Sequence, residues 1–435
     1  MTDYKITRIK SRWILDSRGN PTVETDVYSG NIFARAAVPS GASTGVSEAL
    51  ELRDQGKSFH GRHVTKAVSN VNDIIAKKLN GFDVREQEKI DKEMIDIDGT
   101  TNKSKLGANA ILSVSLSVAK LAAKILEKPL FAYLHDLSFH RSREKYLMPL
   151  PCCNIINGGE HAGNNLAVQE FMVLPLGANK FSQAIENVVE VYQTLKILLK
   201  DKYGKSAINV GDEGGFAPNL SNTHEAINVI VKAVEDSGFK MGTDFYIGMD
   251  AAASEFFHDG MYQIDGKKLD ETGLLQYYLE LIEKYPYLKS IEDPFDEKSF
   301  DSFAKLTKEI DKSIQIVDDD ITVTNIELLQ KAINKGSGNA LLLKVNQIGS
   351  LTEAIEASKM AFKNGFNVMV SHRSGETEDP FIADLAVGLC TGQMKSGAPC
   401  RAERTSKYNQ LLRIEEFLGI NSAYPDRFDS WKNFQ

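Results

Sequence analysis

The chain has 435 residues, more than one hydrophobic core ordinarily organises, which predicts two domains, one of them the size of a single α/β barrel (~250 residues). Its 51 basic and 59 acidic residues give a formal charge of -8 with no long basic run, which argues against a nucleic-acid partner. Cys152, Cys153, Cys390 and Cys400 lack CxxC spacing, so neither a disulfide framework nor a structural zinc site is indicated.

At the N-terminus, "MTDYKITRIK" carries charge where a signal peptide needs an apolar run, and a cytoplasmic location is expected. Three short strands follow in "YKITRIKSRWIL", "PTVETDV" and "IFARAAVP", separated by turn-formers at hairpin spacing, which predicts a small meander. From His63 to Leu137 the apolar positions take a helical period. In "HVTKAVSNVNDIIAKKL" the residues Val64, Ala67, Val68, Val71, Ile74 and Ile75 share one face. The longest apolar stretch, "ANAILSVSLSVAKLAAKIL", is interrupted by Ser113, Ser115, Ser117 and Lys120, and reads as a buried helix, with no membrane span expected. Charges then mix with Pro149 and Pro151, which stop a helix. The expected partition is an α+β domain over residues 1–140 and a β/α domain over residues 146–435.

Beyond Pro151 short apolar runs end in polar residues and alternate with helical stretches: "YIGMD", "LKSIEDPF", "IQIVDDD", "ALLLKVNQ" and "NVMVSHRS". This is the pattern of parallel strands, and the spacing from Asp250 through Glu292, Asp319 and Lys344 to His372 suits consecutive βα units. In a barrel such strand ends converge on one rim; in an open sheet they spread along an edge.

Asp250, Glu292 and Asp319 each stand at an apolar strand end, where an unpaired carboxylate is costly. One such acid reads as a turn or helix cap; three in succession favour a hard divalent cation, Mg²⁺ above others. Lys344 sits inside "LLLKVNQ", either reaching the rim to pair with an acid or, among cations, giving up its proton and acting as a base. Lys395, at the next expected strand end, suits an anionic substrate or a salt bridge equally. "INGGEHAGNNLAVQEF" supplies His161, Gln169 and Glu170, and "VGDEGGFAP" supplies Asp212 and Glu213 on a tight turn. Either is compatible with a plain turn, but acids placed near Glu170 and Asp212 would raise one another's pKa and let Glu213 hold a proton. "VPSGASTGVSEA" has the composition of a lid able to fold over an anion.

These stretches together resemble the enolase family. The resemblance runs in order through "LDSRGNPTVE", "SGASTG", "LGANAIL", "NGGEHA", "QEFM", "GDEGGFAP", "IEDPF", "LLLKVNQIG", "SHRSGETED" and "GAPCRAERTSKYNQLLRIEE", over essentially the whole chain. It implies an α/β fold, a TIM-like (β/α)8 barrel with an irregular start preceded by a smaller α+β domain. It implies Mg²⁺-dependent, reversible dehydration of 2-phosphoglycerate to phosphoenolpyruvate, with two Mg²⁺ per site. By resemblance Asp250, Glu292 and Asp319 hold one ion, and Ser40 with the substrate phosphate reaches the second. Lys344 is then the base and Glu213 the acid, with His161, Gln169 and Glu170 around the reacting end. Arg373 and Ser374 would hold the phosphate beside His372, Lys395 the carboxylate, and Gly41, Ala42 and Ser43 would lie in the lid. Homodimers or octamers are implied as well. Plasminogen binding is expected to be weak, because "EFFHDGMYQID" contains no lysine and the final "KNFQ" ends in glutamine, not lysine.

Three positions depart from the family pattern. Glu160 stands where a serine is usual, Asp318 replaces a small residue beside Asp319, and Ser113 replaces a helix glycine, which should affect packing only. Strand alternation points Asp318 away from Asp319, leaving Asp319 as the ligand. Two rival readings share part of the pattern. An acid-sugar dehydratase would share the barrel and three carboxylates without needing "SGASTG" or "SHRSGETED". A non-enzymatic descendant would have lost site residues, and none is missing.

Overall fold

The computed structural model describes residues 4–41, 45–159, 162 and 164–434. The chain begins with an antiparallel meander of β1 (Arg8–Leu15), β2 (Pro21–Ser29) and β3 (Ile32–Ala37). Its first turn is built by Asp16, whose carboxylate accepts the backbone N–H groups of Arg18 and Asn20, while Gly19 takes the left-handed conformation the reversal requires. The helix Ala108–Ile125 packs on β2 and β3 and is buried along almost its whole length, which accounts for its apolar sequence without a membrane. Ser113 meets the Thr25 hydroxyl at 2.7 Å and Ser117 donates to the Thr25 carbonyl, so two of the interrupting serines tie helix to sheet. The predicted helical face at Val64–Ile75 is corrected at one position. A π-helical turn over Val71–Ile75 buries both its ends and rotates Ile74 outward, leaving it 39% exposed.

The second unit is a closed eight-stranded barrel: β4 (Leu150–Asn157), β5 (Glu170–Leu174), β6 (Tyr246–Asp250), β7 (Leu288–Glu292), β8 (Gln315–Asp318), β9 (Ala340–Leu343), β10 (Asn367–Ser371) and β11 (Gln393–Lys395). From β6 to β11 neighbours are parallel, and β11 closes in parallel on β4. The start is irregular because β5 runs antiparallel to both β4 and β6, and two helices, Phe181–Tyr203 and Thr223–Asp236, precede β6. Reversing β5 brings its first residue to the rim where the other strands end. Asn157, Glu170, Asp250 and Glu292 consequently stand side by side in register.

Below that rim the interior is packed by Leu150, Cys152, Met172, Leu174, Val317, Ala340, Leu342 and Met369. At the opposite end the Gln315 and Gln393 amides bond reciprocally at 2.9 and 3.0 Å. Alternation along β8 points Val317 inward and Asp318 outward, with Asp319 returning to the rim.

Asp318 is fully buried outside the barrel, and neither carboxyl oxygen has a hydrogen-bond partner among the described residues. Gly338 makes room for it: a Cβ there would lie 2.0 Å from Asp318 Oδ1. Burial pushes this carboxyl well above the usual aspartate range. At low pH folded and unfolded chains both hold the proton. Once pH rises past the ordinary aspartate value, only the unfolded chain releases it, and the fold loses stability. Asp318→Ala is therefore expected to stabilise the protein by about 1–3 kcal/mol at neutral pH, with the gain shrinking towards pH 4, as read by denaturant melts at both pH values. A destabilised variant at neutral pH would show that the carboxyl has an unrecognised partner.

Candidate active site

The chamber at the rim is lined by Gln169, Glu170, Glu213, Asp250, Asp293, Asp319, Asp320, Lys344, His372, Arg373, Ser374 and Lys395. Glu292 lies just beneath, fully buried. The sequence-predicted residues thus converge, with exceptions set out below.

Lys395, at the end of β11, is the hub. Its Nζ lies 2.9 Å from Asp250 Oδ2, 2.8 and 2.9 Å from the two Glu292 oxygens, and 3.1 Å from Glu170 Oε1. Lys344, directly after β9, pairs with Asp319 Oδ2 at 2.5 Å, and the Gln347 amide donates to Asp319 Oδ1 at 2.9 Å. Burial lowers the Lys344 pKa, but Asp319 opposes it and the net shift is upward. The expectation of an easily deprotonated Lys344 is corrected to this extent: without a cation on Asp319, that carboxylate holds the lysine protonated.

Glu170 and Glu213 form a close buried pair. Burial, then the charge of Glu213, raises the Glu170 pKa well above the carboxylate range. Two carboxyl groups this close favour keeping a proton at the pair. Asn154, from β4, donates to Glu213 Oε2 at 2.8 Å, and Glu213 is presented by a turn whose Gly214 is left-handed. Asp212 points elsewhere: it does not line the chamber, and its carbonyl accepts from Arg404.

The "HRS" loop is held from behind by Arg404, fully buried on the helix Ala402–Leu418. Its guanidinium donates to His372 Nδ1 and to the carbonyls of Arg373, Ser374 and Asp212. An arginine only donates, so Nδ1 is the acceptor and the neutral His372 ring carries its proton on Nε2, 3.6 Å from Glu213 Oε1. Burial and Arg404 both hold the His372 pKa well below its usual value. Two of the acids that follow, Glu376 and Asp379, are structural. Glu376 accepts from Arg373 N, Thr377 N and Lys407 Nζ, while Asp379 binds Lys120 and Ala37 N of the N-terminal unit.

Arg373 is engaged by Glu48, a residue the sequence reading did not single out, at 2.9 and 3.1 Å. Ser40 joins Gly375 through two backbone bonds, but its hydroxyl donates to Glu51 and accepts from Arg53, away from the acidic chamber. Gly41 is described beside it, whereas Ala42, Ser43, Glu160 and His161 lie outside the described residues. Asp293 and Asp320 were also missed. The Asp293 carboxylate accepts Asp319 N and Asp320 N at 3.0 and 2.9 Å, and burial with Asp319 pushes Asp320 up to about 8.

The donor set suits a hard divalent cation. Its ligand atoms are all oxygen, and Glu170, Glu213, Asp250, Glu292, Asp293, Asp319 and Asp320 outweigh Lys344 and Lys395, since Arg373 is spent on Glu48. The Glu170 Oε2 and Gln169 Oε1 atoms have no hydrogen-bond partner among the described residues. Glu170, Glu292 and Asp293 are all driven towards the neutral form by burial and by neighbouring carboxylates, first Glu213 for Glu170, Asp250 for Glu292 and Asp319 for Asp293, which a bound cation would reverse.

Comparison with known proteins agrees. The family described as "Enolase, N-terminal domain" matches residues 6–134, and "Enolase, C-terminal TIM barrel domain" matches residues 145–431. Enolase of Thermococcus gammatolerans is 54% identical over 98% of this chain and 97% of its own length. Enolase of Methanocaldococcus jannaschii is 54% identical over 98% of both chains, and that of Pyrococcus furiosus 54% identical over 97% of both.

Proposed function

Because the chain belongs to the enolase family and thus works as a phosphopyruvate hydratase, interconverting 2-phospho-D-glycerate and phosphoenolpyruvate, we propose the following assignment of its residues. Asp250, Glu292 and Asp319 hold one Mg²⁺, and Ser40, exchanging its Glu51 and Arg53 bonds, reaches a second together with the substrate phosphate. Bound Mg²⁺ supplies positive charge that offsets the negative charge building on the substrate carboxylate as the C2 proton leaves.

Lys344 takes that proton. With Asp319 committed to a cation it would hold, the charge that keeps Lys344 protonated would be withdrawn and burial would favour the neutral amine. Lys395 holds the carboxylate end of the substrate, and Arg373 and Ser374 the phosphate, a planar fork and a hydroxyl suited to phosphate oxygens. Glu213, sharing its proton with Glu170, delivers it to the departing 3-hydroxyl. His372 offers its Nε2 proton beside Glu213, and Gln169 and His161 complete the reacting end. Gly41, Ala42 and Ser43 are assigned to substrate binding.

The observation that carries this reading is the gathering of Glu170, Asp250, Glu292, Asp319, Lys344 and Lys395 at one barrel rim, from strands far apart in sequence. The test is the ultraviolet signal of phosphoenolpyruvate formed from 2-phosphoglycerate by purified protein, with Mg²⁺, after chelation, and with Mg²⁺ restored. Activity that survives complete chelation would sink the metal assignment. No product with Mg²⁺ present would sink the residue assignment as a whole.

We further propose a cytoplasmic homodimer, alone or assembled into octamers, which light scattering would distinguish, with any cell-surface population secondary. The segment Glu255–Asp265 carries no lysine, which supports weak plasminogen binding.

A further inference from the structure

Arg373 lies at the phosphate end of the chamber, yet two other anions compete for it. Its charge is felt by Asp319 and Asp320, and theirs by it. What holds the guanidinium is Glu48, from the N-terminal unit, in a two-point pair of NH1 to Oε2 at 3.1 Å and NH2 to Oε1 at 2.9 Å, with NH1 also donating to Asn346 Oδ1 at 3.0 Å. Both side chains are buried, 4% and 8% exposed, so the pairing is scarcely screened by water.

Glu48 is itself fixed. Its Oε1 accepts the Gly45 N–H at 3.2 Å and lies 3.5 Å from Gln347 Nε2, while the next residue, Ala49, donates its N–H to the Gln347 carbonyl at 2.8 Å. The same Gln347 amide donates to Asp319 Oδ1 and its oxygen accepts from Thr324. A long arginine side chain with several rotatable bonds is thereby given one position, from a neighbouring unit rather than from its own loop.

We propose that Glu48 is a positioning residue that holds Arg373 off Asp319 and Asp320 and aims it at the substrate phosphate, so that the metal ligands and the phosphate arginine remain separate. The inference rests on the reading of Arg373 as the phosphate group's partner, but its central claim concerns where Arg373 goes without Glu48. Released, the guanidinium would settle against the acids of the metal side, and both Mg²⁺ and phosphate would bind less well.

The test uses Glu48→Gln, which keeps the shape and replaces a carboxylate oxygen by an amide that cannot accept. Calorimetry of Mg²⁺ with substrate-free protein is expected to show affinity weakened by about fivefold or more, a typical coupling between sites. KM for 2-phosphoglycerate is expected to rise about tenfold, with kcat changed less. The decisive arm is Arg373→Met with and without Glu48→Gln: once the arginine is gone, Glu48→Gln should leave Mg²⁺ affinity unaltered within about twofold. Glu48→Asp, which keeps the charge, should recover part of both losses. An equal loss of Mg²⁺ affinity with and without Arg373 would overturn the proposal, as would unchanged affinity in Glu48→Gln. If instead Arg373→Met left KM unchanged, the phosphate assignment would fail while the Mg²⁺ arm still decided the role of Glu48.

Discussion

Lys344→Ala is expected to eliminate both turnover and the exchange of the substrate's C2 proton with deuterated solvent, because neither Lys395 nor His372, the other basic side chains among the described residues at the C2 end of the chamber, is placed to replace it. The candidates are limited. Lys395 lies 3.1 Å from Glu170, which is not assigned to the metal, and Glu170 with Glu213 still favours its ammonium when Asp250 and Glu292 are engaged. His372 has its Nδ1 committed to Arg404 and presents only a proton on the other nitrogen. Lys344 has one strong interaction keeping it charged, the Asp319 carboxylate, and that carboxylate is assigned to the metal. Removing Lys344 also removes the ammonium that competes for Asp319, so Mg²⁺ should bind at least as tightly as in the unmodified chain.

Glu213→Gln should behave differently. It keeps the shape of the side chain beside Asn154 while removing one carboxyl of the pair with Glu170. Turnover is expected to fall by ~10²–10⁴-fold, the range for a general acid, while C2 exchange survives. Deuterium incorporation into recovered 2-phosphoglycerate, followed by NMR, separates the two steps. Exchange that persists in Lys344→Ala and disappears in Glu213→Gln would reverse the roles.

Much of this arrangement is legible in the sequence because the barrel's parallel strands end in chemistry. A short apolar run followed by Asp, Glu or Lys marks both the strand and its rim residue, which is how Asp250, Glu292, Asp319, Lys344 and Lys395 were found. The reversed strand β5 hides the same logic. Glu170 is its first residue, not its last, and only the antiparallel register to Asp250 shows that it stands at the rim. Arg404, Glu48, Asn154 and Gln347 escaped notice for another reason: each acts by holding a predicted residue, and a supporting hydrogen bond across the fold leaves no local pattern. The nearest signal for Arg404 would have been an arginine on the face of the helix Ala402–Leu418 that also carries Tyr408 and Leu411, where a positive charge requires several acceptors. Asp318 was correctly turned away from the site by strand alternation, yet nothing in the sequence foretold that it would be buried without partners.

The same geometry fixes what removal of a metal ligand should do. Two sets of acids stand at the rim: Asp250, Glu292 and Asp319, each paired with one of the two lysines, and Asp293, Asp319 and Asp320, whose oxygens come within 4.8 Å of one another. The Asp293 oxygens already accept the backbone N–H groups of Asp319 and Asp320, which fix the loop after β8, whereas Asp250 and Glu292 are satisfied mainly by an ammonium that a metal displaces. These contacts favour the first set, the one proposed above. Asp250→Asn, Glu292→Gln and Asp319→Asn should each abolish turnover and Mg²⁺ binding while leaving the metal-free protein folded. Burial drives the Glu292 carboxyl towards its neutral form, so the metal-free melting temperature of Glu292→Gln should hold or rise, whereas Asp319→Asn breaks the buried pair with Lys344 and should lower it. A ligand present at a hundred times its Kd stabilises the native state by about 2.7 kcal/mol, and the corresponding rise of Tm with added Mg²⁺ is what these variants should lose. Asp318→Ala should keep the full Mg²⁺-dependent rise, because its side chain faces out of the barrel. If Asp293→Asn lost the rise and Glu292→Gln retained it, the ion would sit in the second set, and Lys395 would stand as a permanent counter-ion of Asp250 and Glu292 instead of one that yields to the metal.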